Sequence, residues 1–117
     1  MLFRSRLLAR KPQDIDATIG LAQVELLARV KNLDPAAVTK QSQENPTDLT
    51  LQQSMADIEM VSGKVEAAFA RLIELVKQTS GDDRNKVKEH LLGLFNLVDP
   101  ADSRVIASRR ALANALF

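Results

Sequence analysis

The chain has 117 residues, enough for one hydrophobic core and too few for two ordinary domains. Its 16 basic and 15 acidic side chains leave a formal charge of +1, so there is no global electrostatic case for nucleic acid or a membrane surface. There is no cysteine, which excludes disulfides, thiol chemistry and cysteine-ligated zinc within the chain and agrees with a cytoplasmic origin. No apolar run approaches the roughly 20 residues that span a bilayer.

Apolar content of 45% with only 3% aromatics leaves the core to Leu, Ile, Val, Met and Ala. The apolar positions recur at three-to-four spacing and never alternate, so the chain reads as all-helical. A short helix is expected over 2–10, its apolar side made of Leu2, Phe3, Leu7 and Leu8. Arg4, Arg6, Arg10 and Lys11 precede any acid, and read either as solvated tips or as a site for an anionic partner. This stretch is too short and too interrupted by arginine for a signal or transit peptide. Pro12 stops it, and Asp14 then serves as N-cap for a helix over 15–31 with Ile15, Ile19, Ala22, Leu26 and Val30 on one face. Gly20 inside that helix marks a close helix crossing.

Asp34-Pro35 is a cap followed by proline at the first helical position, and opens a weakly apolar surface helix to about Gln43. Asn45-Pro46-Thr47-Asp48 restarts the chain into a helix over 49–61, which ends at Ser62-Gly63. The helix over 65–78 has the broadest apolar face, with Ala68, Phe69, Leu72, Ile73, Leu75 and Val76. Gly81 ends it, and Asp82 is expected to cap a helix reaching Val98 through Leu91-Leu92-Gly93-Leu94-Phe95. Asp99-Pro100 then opens the last helix, which carries Val105, Ile106, Leu112 and Leu116. With no Gly/Ser linker, residues 1–117 form a single domain.

Lys11-Pro12-Gln13-Asp14-Ile15 returns 34 residues later as Asn45-Pro46-Thr47-Asp48-Leu49, and Leu21-Ala22 returns as Met55-Ala56. Thirty-four residues is the period of the tetratricopeptide repeat, a helix pair that buries its apolar face by stacking on its neighbours. Ala56, Gly63, Ala68 and Leu72 supply the small, turn and bulky positions of that pattern. The fold class expected is therefore an all-α, right-handed stack of antiparallel helix pairs. Its repeats are 14–46 and 48–80, followed by a C-terminal pair over 82–117.

The string from Ile58 to Leu72, the run from Gly81-Asp82-Asp83-Arg84 to Leu91-Leu92-Gly93-Leu94-Phe95, and the ending Arg109-Arg110-Ala111-Leu112-Ala113-Asn114-Ala115-Leu116-Phe117 resemble the C-terminal helical domain of bacterial thioredoxin-like co-chaperones, the chaperedoxins. The resemblance covers Asp14 to the end. It implies a preceding thioredoxin-fold domain, absent from this chain, and a fragment in which 1–12 is the second helix of a truncated repeat. The bare face of that helix is expected to pair with another molecule, such as a second copy. Implied partners are unfolded client proteins, a chaperonin and the parent chain's thioredoxin domain, with no cofactor.

No catalytic constellation is visible, so no enzyme activity is expected. His90 is the single histidine and reads as structural. In a tetratricopeptide register the partner-facing positions are Asp16, Ile19, Gln23 and Leu26 in one unit and Thr50, Gln53, Asp57 and Met60 in the next. That acidic, amide and apolar face suits apolar or basic segments. On the last helix Arg104, Arg109, Arg110 and Phe117 read either as a solvated cap of the stack or, by the resemblance, as a chaperonin-docking surface. The competing functions are a generic adaptor for one protein and a nucleic-acid-associated module using the terminal arginines.

Overall fold

The computed structural model describes residues 12–117. The leading helix expected over 2–10, with its apolar face and the pairing proposed for it, lies outside them. Six helices follow in order: α1 (Pro12–Val30), α2 (Pro35–Glu44), α3 (Leu49–Val61), α4 (Val65–Gln78), α5 (Gly81–Phe95) and α6 (Ser103–Leu116). This is the helical-repeat stack expected from the 34-residue period.

Local chemistry fixes most of the ends. The Asp34 carboxylate accepts from the backbone N–H groups of Ala36 and Ala37 ahead of Pro35, and Asp48 accepts from that of Leu51. Gly63, at φ +80°, turns the chain between α3 and α4, in a region that costs a side chain about 1 kcal/mol or more.

Four expectations need correction. Pro12 is the first residue of α1, where a proline removes only an N–H that has no intrahelical partner, and the helix expected before it lies outside the described residues. Asp14 consequently lies inside the first turn, where it offsets the helix dipole. Pro46, its counterpart in the repeat, sits in the turn before α3, so the two hairpins open at different points of the pattern. Gly20 marks no close crossing among the described residues, since a Cβ built there would meet none of them within 4 Å.

The other two corrections concern α5 and α6. Gly81, at φ +60°, is the first residue of α5, with Ser80 at the cap and Asp82 and Asp83 in the first turn. That helix ends at Phe95, short of Val98. Asp99 makes a turn, its Oδ1 accepting from the Ala101 N–H at 2.8 Å, and the cap of α6 is Asp102, whose Oδ1 accepts from the Arg104 N–H at 2.8 Å.

The α3–α4 hairpin is the centre of the stack. Helices α1 and α2 pack against α3, α5 packs against both members of the hairpin, and α6 lies along α4. Ala56 and Ala68 are fully buried, which lets α3 and α4 approach closely. Around them Phe69, Leu72 and Val76 of α4 meet Val87, Leu91, Leu94 and Phe95 of α5, and Val105 and Leu112 of α6. The Phe69 and Phe95 rings meet edge to face, centroids 4.9 Å apart at 86°. Truncation Phe69→Ala should therefore cost about 3–5 kcal/mol in urea unfolding. Leu21→Ala, on the exposed side of α1, should stay within about 0.5 kcal/mol of the parent.

Candidate functional site

Helix α3 is covered on several sides, and its buried residues include polar Gln52 and the charged Asp57 and Glu59. A buried charge is tolerated only when paired and hydrogen-bonded. Asp57 Oδ2 accepts from Arg29 Nε–H of α1 at 2.9 Å, and Oδ1 from Arg29 Nη2–H at 3.2 Å. Oδ1 also bonds His90 Nε2 of α5 at 2.8 Å, which places a proton on that nitrogen because the carboxylate has none to give. Burial alone would raise the Asp57 pKa. The hydrogen bonds from His90 and Arg29, with their charges, outweigh burial and hold it below the ordinary value of 3.8.

Glu59 accepts from Arg71 Nε–H of α4 at 2.7 Å and from Nη2–H at 3.2 Å. The third arm of Arg71 donates to Gln52 Oε1 at 2.7 Å. The Gln52 amide in turn donates to the carbonyls of Ser42 at 2.8 Å and Asn45 at 3.2 Å, at the end of α2. Asp57, expected on a partner-facing surface, is thus buried and fully occupied in binding its own chain. His90 has the structural role expected of it.

A groove of about 560 Å³ opens where the ends of α1 and α3 approach the starts of α4 and α6. Leu26 and Met60 form its floor, Leu27, Val61 and Leu97 its walls, and Gln23 and Arg104 part of its rim. Four of the sequence-expected residues, Gln23, Leu26, Met60 and Arg104, are brought together here. Arg104 is bound to Asp102 through Nε at 3.0 Å and Nη2 at 2.9 Å, a pairing that holds the Asp102 carboxyl down to about 2. Among the described residues the rim's one charge without an ion pair is the exposed Asp99 carboxylate, which accepts only from the Ala101 N–H. Leu27 in the groove wall is 59% exposed, and Leu21 and Val24, at three-residue spacing on the same helix, are 61% and 65% exposed.

The other expected residues lie elsewhere. Asp16 and Thr50 are exposed, Gln53 is half-buried outside the groove, and Ile19 sits in a small cleft beside Val98 and Pro100. On α6, Arg109 covers the Phe95 ring at 4.9 Å, while Arg110 and Phe117 face solvent. Ile106, Arg109, Arg110, Ala113 and Phe117 share one side of α6 by their spacing, and the exposed Ile106 was not foreseen. The groove residues that sequence reading missed are Leu27, Val61, Val65, Leu97 and Val98. Leu27 and Val61 were visible only as apolar residues standing beside the core stripe of their helices.

A stack of short helix pairs with an open apolar groove and its buried charges paired within the chain defines a helical-repeat scaffold. A tetratricopeptide-repeat model matches residues 28–117, and the chain belongs to that family. It is also 40% identical over 111 residues to uncharacterized proteins of Mycobacterium bovis and Mycobacterium tuberculosis. The match covers 95% of this chain and 36% of each relative, so the chain spans about a third of their length. No solved structure matches.

The buried carboxylate on α3 should be measurable in stability. Asp57→Ala leaves Arg29 and His90 without their acceptor, and should cost about 3 kcal/mol at neutral pH in urea unfolding. Because the folded-state pKa of Asp57 lies below its unfolded value, its contribution is complete above pH 3.8 and is lost as pH falls through the folded value. The parent should consequently lose more stability on acidification from about pH 5 to pH 2 than Asp57→Asn does.

Proposed function

We propose that this chain is the polypeptide-binding part of a thioredoxin-like co-chaperone, holding apolar segments of unfolded clients in the groove between α1, α3 and α6. Tetratricopeptide arrays bind other proteins and are typically non-catalytic. The observation that carries the finer reading is the open apolar groove, lined by exposed Leu27, with exposed Val24 and Leu21 at three-residue spacing from it on the same helix. An exposed apolar surface of this kind marks an interaction site. Its rim, where Arg104 is paired and Asp99 is a free carboxylate, suits clients selected by apolar side chains with an occasional basic one. The thioredoxin-fold domain belongs to the same proposal, and the relatives are long enough to carry a further domain beside the matched part.

A second reading, docking on one folded partner such as a chaperonin, is favoured by the solvent-facing side of α6. There Ile106 and Phe117 flank Arg110, with no acid anywhere in the helix. Among the described residues no helix is long and apolar enough to cross a membrane, in keeping with the cytoplasmic setting this role needs.

The test is suppression of aggregation of a chemically unfolded enzyme, followed by light scattering. The parent chain should suppress it, and Leu27→Asp should reduce the effect at least fivefold with an unchanged thermal midpoint, because Leu27 is exposed. Ile106→Asp should leave suppression intact and weaken only binding to a folded partner. Absence of suppression by the parent would refute the client-holding reading.

A further inference from the structure

A second groove, of about 510 Å³, lies on another part of the stack, between α2 and α3 beside the start of α4. Its floor is apolar, with Ile58 buried, Met55 half-buried and Pro35 at the edge. The Thr39 hydroxyl approaches the Met55 sulfur at 3.6 Å, so the polar group nearest that sulfur already has a contact within the chain. Charge around this groove differs in kind from that around the first. Glu59 is the acidic group in the lining, and both of its oxygens are taken by Arg71. Lys40 and Lys64 stand exposed at the rim, and neither has an ion-pair partner among the described residues. The groove therefore combines an apolar floor with two uncompensated positive charges.

We infer that this groove docks a polypeptide segment in which apolar side chains are flanked by carboxylates, the apolar groups seating on Met55 and Ile58 and the carboxylates meeting Lys40 and Lys64. Charge complementarity selects the occupant. A basic or neutral segment leaves the two ammonium groups unmatched, whereas an acidic-apolar one satisfies floor and rim together. Two lysines on a chain of net charge +1 are too few to track a phosphate backbone. The site is separate from the groove assigned to unfolded clients and stands whether or not that assignment does.

The experiment uses the full 117-residue chain and fluorescence anisotropy with three labelled, end-blocked eight-residue peptides of equal leucine content. In them the leucine pairs alternate with pairs of glutamate, glutamine or lysine. The glutamate peptide should bind, the glutamine peptide at least fivefold more weakly, and the lysine peptide not measurably. Lys40→Glu/Lys64→Glu changes only exposed side chains, so it should keep the fold by circular dichroism and lose at least tenfold in affinity for the glutamate peptide. Methyl resonances of Met55 and Ile58 should shift on titration. Leu27→Asp, in the other groove, should leave the affinity for the glutamate peptide unchanged. The inference is overturned if the glutamate peptide does not bind, if glutamine serves equally well, if the double variant binds undiminished, or if Leu27→Asp abolishes binding.

Discussion

The arrangement of the stack depends on one rod, α3, whose inward side carries two carboxylates that only other helices can neutralise. Taking an ionised carboxylate out of water costs several kcal/mol unless cations and hydrogen bonds replace the lost hydration. Asp57 obtains them from Arg29 of α1 and His90 of α5, and Glu59 from Arg71 of α4. Hydrophobic contact would tolerate α1 sliding by a turn along α3, since Leu and Val are interchangeable in a loosely specified interface. A slide of that size would part Arg29 from Asp57. The ion pairs thus set the register in which the helices stack, while the aliphatic core around Phe69, Leu72 and Leu91 supplies most of the attraction.

That division of labour bears on where binding occurs. Helix α1 has 19 residues, yet Leu26 is the one apolar side chain of its described part that is buried outright. Its attachment rests on that leucine, on partly buried neighbours such as Val30 and on the Arg29 pair. Elements with few buried contacts open at low free-energy cost. The wall of the apolar groove formed by Gln23 and Leu27 therefore belongs to the least anchored helix, while the floor at Met60 belongs to the best anchored hairpin. A firm floor with a yielding wall accommodates segments of different shape.

The core was legible from the sequence because α4 and the end of α5 follow helical spacing closely, and Ala56, Ala68 and Leu72 fall where a repeat needs small and bulky residues. Asp57 was misread for a physical reason. Its register position matches residues that face a partner when one side of the helix stays open, but α3 has α1 on one side and α5 on the other. The start of α6 was misplaced because Asp99-Pro100 reads as a cap, whereas Asp99 makes only a turn and the N–H at the helix start is accepted by Asp102. The groove had no local signature at all. Its lining comes from residues 23–27, 60–65, 97–99 and 104, which become neighbours only once the helices stack.

The near-zero net charge also concealed a separation of roles. Asp57, Glu59 and Asp102 are spent on Arg29, Arg71 and Arg104, all within the chain. Removing those matched pairs from the account leaves one groove with the Asp99 carboxylate at its rim and another bearing Lys40 and Lys64. Two apolar clefts of similar size then discriminate by what surrounds them, because a carboxylate gains at one rim and loses its hydration for nothing at the other. On the proposed reading a tetratricopeptide scaffold sorts segments of equal hydrophobicity between two surfaces, and the sorting follows from which charges the fold has already used.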